Sequence, residues 1–177
     1  APEIKKIAVA GYGAQITFCT PTLEARESTL KKVADETGAT EIHPYNYFNV
    51  ICGQGTAAKE LIEEIGELDI VMAPVGGGGL LSGTAIATKA LLPGAKVIAA
   101  EPAGADDAFR SFYSKTLQPS VAPKTIADGL LTSLGSLTFP IILSNIDQIV
   151  TVSEESIVAA MRMIWERMKI IVEPSSA

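Results

Sequence analysis

The sequence predicts an α/β protein, part of an open parallel sheet with helices on both faces. Three observations carry that expectation. Short β-branched runs alternate with longer helical patterns along the chain. One run, Ile70 to Val75 (IVMAPV), is almost continuously apolar, as expected of a strand that is central in its sheet and covered on both faces. Four glycines, Gly76 to Gly79, then join it to an apolar helical pattern. Composition agrees: of 177 residues 47% are hydrophobic and 19% charged, the balance of a folded globular chain. The net charge of −6, with no basic run longer than Lys5-Lys6 or Lys31-Lys32, excludes a surface built for nucleic acid. No apolar stretch approaches the roughly 20 residues of a bilayer span, and no basic segment followed by an apolar run opens the chain. Cys19 and Cys52 lie far apart with no zinc or CxxC spacing and read as core residues. The expectation is a reduced, cytoplasmic protein without a membrane partner. The start at Ala1-Pro2 and the stop after Glu173-Pro174-Ser175-Ser176-Ala177 read as an excerpt of a longer protein.

Taken in order, Gln15 to Cys19 (QITFC) is a strand candidate, and Leu23 to Glu36 a helix with Leu23, Leu30 and Val33 on its apolar side. Thr40 to His43 is a short strand candidate and Gly53 to Ile65 a helix. After the apolar strand, Leu80 to Leu92 reads as a helix and Lys96 to Ala100 as the next strand. Gln118 to Ser136 carries the Pro, Ser, Thr and Gly of a loop. Gln148 to Val152 is a strand. Ser153 then caps a helix whose first turn holds Glu154 and Glu155, and which should bury Ile157, Met161, Ile164 and Met168. Residues 1–36 are expected as the remainder of a small domain and 37–177 as a larger, truncated one.

The chemistry concentrates in Pro74-Val75-Gly76-Gly77-Gly78-Gly79-Leu80-Leu81-Ser82-Gly83. Residues without Cβ let backbone N–H groups converge, and the helix that follows adds its own free N–H groups and positive dipole end; the guest this suits is a phosphate. The position fits as well, since ligands of open α/β sheets sit beyond the carboxyl ends of strands. G-x-G-x-x-G cannot be threaded through these residues, and Thr84 follows Gly83 where a Walker loop needs Lys.

This stretch resembles the tetraglycine loop that cradles the phosphate of pyridoxal 5′-phosphate (PLP) in fold-type II enzymes, most closely the serine racemase and serine/threonine dehydratase family. Further motifs agree in the family's order: Tyr12-Gly13-Ala14, His43-Pro44-Tyr45, Gly53-Gln54-Gly55-Thr56, Ala99-Ala100-Glu101-Pro102, Thr125-Ile126-Ala127-Asp128-Gly129, and Trp165-Glu166-Arg167-Met168-Lys169 with Glu173-Pro174. The resemblance implies racemisation of serine, with β-elimination to pyruvate and ammonia beside it, and a homodimer. It implies that Gly76, Gly77, Gly78, Gly79 and Leu80 hold the phosphate, and that Gly129 and Glu173 lie along the cofactor. One departure is Tyr45, where some animal racemases carry Asn.

Glu101 to Asp107 is on residue types alone either a hard-oxygen set for Mg²⁺, Ca²⁺ or Mn²⁺ or a solvated acidic turn before a helix starting at Asp106. The resemblance implies the former, with Glu101, the Ala105 carbonyl and Asp107 as ligands. It also implies Tyr12 and Lys169 at an intersubunit ATP site that activates the enzyme, although each alone reads as a turn aromatic and a solvated helix-end lysine. His43, the only histidine, reads as structural. The Schiff-base lysine and the opposite-face serine of the family match nothing in these residues: none of the ten lysines has the family's context. The alternatives are a threonine or hydroxyaspartate dehydratase, and a non-catalytic phosphate-ligand-binding module.

Overall fold

The computed structural model describes residues 3–177. They group into two compact units, one ending at Ile42 and one spanning His43–Ala177; the division expected at 36/37 falls in the last turn of a helix.

The first unit carries α1 (Glu3–Gly11) and α2 (Leu23–Thr37). Thr22 caps α2 by accepting from the Ala25 N–H at 3.1 Å, and Gly38, at φ 70°, closes it. The strand expected at Gln15 to Cys19 is not formed, nor is the one at Thr40 to His43. Both runs have strand composition, but a strand needs a partner, and none lies beside them among the described residues. Phe18 and Ile42 are accordingly exposed. Cys19 and Cys52 are also exposed rather than core residues: the first sits in the irregular segment after α1, the second on the outer side of a helix whose Ile51 faces inward.

The second unit runs α3 (Phe48–Ile65), β1 (Ile70–Pro74), α4 (Gly79–Leu91), β2 (Lys96–Pro102), α5 (Asp107–Ser114), α6 (Thr138–Asn145), β3 (Gln148–Val152) and α7 (Glu154–Met168), with 3-10 turns at Asp128–Leu130 and Pro174–Ser176. The strands are all parallel in the order β1-β2-β3, pairing Pro74 with Ala100 and Pro102 with Val152. Among the described residues β2, not β1, is the middle strand. The stretch 118–136 is a loop apart from its single 3-10 turn. The α6 helix escapes a periodicity reading because it has only eight residues and carries Pro140 in its first turn, where the missing N–H is tolerated.

One sheet face makes the core. Ala73, Val75, Val97, Ala99 and Ile149 pack against Leu81 and Ala85 of α4, Ala108 and Phe112 of α5, and Ile142 of α6. On the other face Ile157 of α7 helps line a cavity of about 260 Å³ with Met72, Ala100 and Val152, while Ile70 and Met72 of β1 stay exposed. Of the four residues expected inward on α7, only Ile157 is buried; Met161 and Ile164 are half-buried and Met168 is exposed. The apolar stripe exists, but among the described residues only its first turn is fully buried. Ser153 does cap α7, accepting from the Ser156 N–H at 3.2 Å.

Two glycines fix where α4 lies. A Cβ on Gly83 would run into the Gly55 nitrogen and the Ile51 carbonyl, and one on Gly55 would come within 2.9 Å of the Gly83 carbonyl. With α3 backbone against α4 backbone, the start of α4 is held firmly at the end of β1.

Candidate functional site

The site is built where β1 ends. The Val75 N–H donates to the Ala100 carbonyl at 3.0 Å, the last ladder bond of the strand, and α4 starts at Gly79. Between them the chain turns with Gly78 at φ 87°, a left-handed conformation that a Cβ would penalise. Gly76 to Gly79 are buried. Among the described residues none accepts a hydrogen bond from the backbone N–H groups of Gly76, Gly77, Gly78, Gly79 or Leu80. Five successive donors without an acceptor in the chain, four of them on buried residues, are costly unless water or a ligand satisfies them; at the start of a 13-residue helix, they suit an anion.

The loop is walled on its other sides. The Tyr45 ring lies directly on Gly77, leaving no space for a Cβ, and the Tyr45 backbone and Cβ meet Gly79. Around Gly78 close Leu134, Thr138 and Ile142. The buried Thr138 hydroxyl donates to the Gly77 carbonyl at 2.8 Å and accepts from the Gly135 N–H at 2.8 Å.

Gly129 and Glu173 fall beside the same loop. A Cβ on Gly76 would come within 2.9 Å of Leu130 Cα and 3.3 Å of the Gly129 carbonyl, and one on Gly129 within 3.6 Å of Glu173 Oε1. The Gly129 N–H donates to Ser175 Oγ at 3.1 Å. Gly76–Leu80, Gly129 and Glu173 thus form one neighbourhood at the carboxyl end of β1.

At the end of β2 stands the acidic turn. It is not solvated: Glu101 and Asp107 are each 1% exposed, and Ala105 is buried between them. The Glu101 carboxylate accepts from the Ala108 N–H at 2.9 Å and the Phe109 N–H at 2.7 Å, so it caps α5 from outside the helix while each oxygen keeps a second lone pair. Both Asp107 oxygens are buried without a hydrogen-bond partner. Burial pushes the Glu101 carboxyl up to about 8 and the Asp107 carboxyl up to about 6; Ser120 and Arg110 only temper the latter rise. Two buried carboxylates, one orphaned, beside a backbone carbonyl fit a hard divalent cation. The described residues hold no group of three or more His, Cys, Asp or Glu side chains placed to bind a metal ion, so carbonyl and water oxygens would complete such a shell.

Tyr12 is 88% exposed in the first unit. Lys169 ends α7 at φ 61° in the second, its Nζ donating to the Glu166 carbonyl at 2.7 Å. His43 accepts through Nδ1 from the Asn46 N–H at 3.0 Å, a structural bond in a turn. Sequence reasoning missed Thr138, Asn46 and Ser175, whose single hydroxyls and amide carry no pattern; Tyr45 was visible only as a departure.

The sequence model of the pyridoxal-phosphate dependent enzyme family matches residues 1–177. The chain is 55% identical over 179 residues to the serine racemase of Dictyostelium discoideum, covering 100% of this chain and 55% of that protein. It is 50% identical to the beta-hydroxyaspartate dehydratase of Paracoccus denitrificans, covering 100% and 56%. The crystal structure of the Dictyostelium racemase superposes with a TM-score of 0.92 at 54% identity (99% of this chain, 56% of that one), and the structure of maize serine racemase with 0.95 at 43% (99% and 53%). The chain spans about half the length of the relatives it matches. With a family match across its whole length, and a glycine loop whose N–H groups find no acceptor in the chain, the chain belongs to the pyridoxal-phosphate dependent enzymes.

Proposed function

We propose that the protein to which these residues belong is a serine racemase that also releases pyruvate and ammonia from serine. The observation that carries this is the row of acceptorless N–H groups from Gly76 to Leu80 at the end of β1, in a chain 55% identical to the Dictyostelium racemase. The amides bind the PLP phosphate, helped by the positive end of α4. Gly129, held by Ser175, and Glu173 flank the cofactor on the side of the 3-10 turns. Once bound, PLP supplies the electron sink that makes the Cα–H bond of an amino acid acidic. The acid and base that move that proton are assigned to segments beyond these 177 residues, so this part anchors and orients.

Within the same reading, Glu101, the Ala105 carbonyl and Asp107 hold Mg²⁺ or a similar divalent cation. Tyr12 and Lys169 contribute to an ATP site between the subunits of a cytoplasmic homodimer. Residues 1–36 complete a small domain, and the remainder forms the cofactor domain.

The test is made on the full-length protein. L-serine should yield both D-serine, by chiral chromatography, and pyruvate, and Gly77→Val should abolish PLP retention because its side chain has no room beside Tyr45. Normal PLP absorbance in that variant refutes the cradle. The identity to the Paracoccus dehydratase favours a second reading; keto-acid release from hydroxyaspartate with no D-serine formed would select it.

A further inference from the structure

We propose that His43 is a positioning residue for the phosphate cradle, acting through the turn it holds. This rests on the reading that the glycine loop binds PLP.

A loop of four glycines is the most flexible backbone a chain can make, and its donors are useful only if they are held before the ligand arrives. Around Gly77 the structure closes a circuit of contacts that does this. His43 Nδ1 accepts from the Asn46 N–H at 3.0 Å and, more weakly, from the Tyr45 N–H at 3.4 Å. An acceptor at Nδ1 puts the ring proton on Nε2. The turn so fixed lays the Tyr45 ring on Gly77 and the Tyr45 backbone against Gly79. The His43 ring itself meets the Tyr45 ring edge-on, with centroids 4.6 Å apart. On the other side of the turn, Asn46 Oδ1 accepts from the Leu137 N–H at 2.8 Å and its Nδ2 donates to Ser136 Oγ at 3.1 Å, tying the turn to the start of α6. From α6, Thr138 returns to the Gly77 carbonyl at 2.8 Å. The cradle is thereby gripped from two sides that are themselves bonded together, with the imidazole acceptor at the head of the circuit.

The chemistry picks out a discriminating substitution. The Oδ1 of an asparagine occupies nearly the place of Nδ1 and makes the same kind of bond to backbone N–H groups two and three residues on; a leucine fills the space without an acceptor. Full-length apo-protein carrying His43→Asn or His43→Leu is titrated with PLP and, separately, with pyridoxal, which lacks the phosphate. The His43→Leu variant should bind PLP about tenfold more weakly and pyridoxal within about twofold of the unsubstituted protein, while His43→Asn stays within about twofold for both. Tyr45→Ala should show the same phosphate-selective loss and Tyr45→Phe should not, which keeps the test decisive should His43→Leu fail to fold. The proposal is overturned if Leu and Asn behave alike, if the loss is equal for PLP and pyridoxal, or if no variant weakens PLP. Should the unsubstituted protein itself bind pyridoxal as tightly as PLP, the phosphate cradle fails, and the role of His43 with it.

Discussion

If Glu101, the Ala105 carbonyl and Asp107 hold a divalent cation, its removal leaves two buried carboxylates that resist ionisation, and this makes cation binding pH-dependent in a calculable way. Burial raises Glu101 from 4.5 to about 8 and Asp107 from 3.8 to about 6. At about 1.4 kcal/mol per pH unit, ionising them in the fold costs ~5 and ~3 kcal/mol respectively more than in water, before any cation is present. The cation binds the ionised forms and must displace the protons. Its affinity should therefore fall about tenfold for each pH unit below 8 as Glu101 takes up a proton, and more steeply below 6, where Asp107 does so too. Stability follows the same sign. Carboxyls whose values are raised on folding make the native state bind more protons than the unfolded one, so the contribution of these two to the cation-free protein is greatest in acid. The protein loses that contribution as pH rises from about 4 through about 8. Calorimetric titration of EDTA-treated full-length protein with Mg²⁺ at pH 6, 7 and 8, in buffers of differing ionisation enthalpy, reads both the affinity and the protons released. An affinity flat across that range, or undiminished by Asp107→Asn, would refute the assignment.

Two further substitutions probe the support of the site. Gly83→Ala should lower stability by about 1–3 kcal/mol, read as a lower midpoint of thermal unfolding, because the added methyl meets α3 backbone that cannot swing aside; an unchanged midpoint would mean that α3 and α4 are not so closely packed. Thr138→Val keeps the shape but leaves the Gly77 carbonyl and the Gly135 N–H without their hydroxyl partner; the expected loss is about 1–3 kcal/mol, with weaker PLP retention in fluorescence titration.

What the sequence makes legible here is what repeats or clusters. The second unit's alternation of strand and helix, the Ser153 cap and the glycine run all rest on local pattern, and the structure has strands at Ile70–Pro74, Lys96–Pro102 and Gln148–Val152 as that pattern demands. Pairing is not local. QITFC and the stretch 40–43 have the composition of strands, yet composition does not supply a neighbouring edge. Likewise IVMAPV looks central because it is apolar throughout, while among the described residues β1 pairs with β2 alone and leaves Ile70 and Met72 exposed. For the site, the glycine loop announces itself through four residues that share one property. The groups that hold the loop, His43, Tyr45, Asn46 and Thr138, are single residues separated by up to 95 positions, and only the fold brings them together. The acidic turn lies between these cases: its residue types were readable, but the burial that separates a ligand set from a solvated turn was not.

The most direct measurement is a crystal structure of the full-length protein grown with PLP. The phosphate oxygens should lie within hydrogen-bonding distance of the N–H groups of Gly76 to Leu80, beside Gly129. If those amides face only solvent while the phosphate is bound elsewhere, the central claim is contradicted.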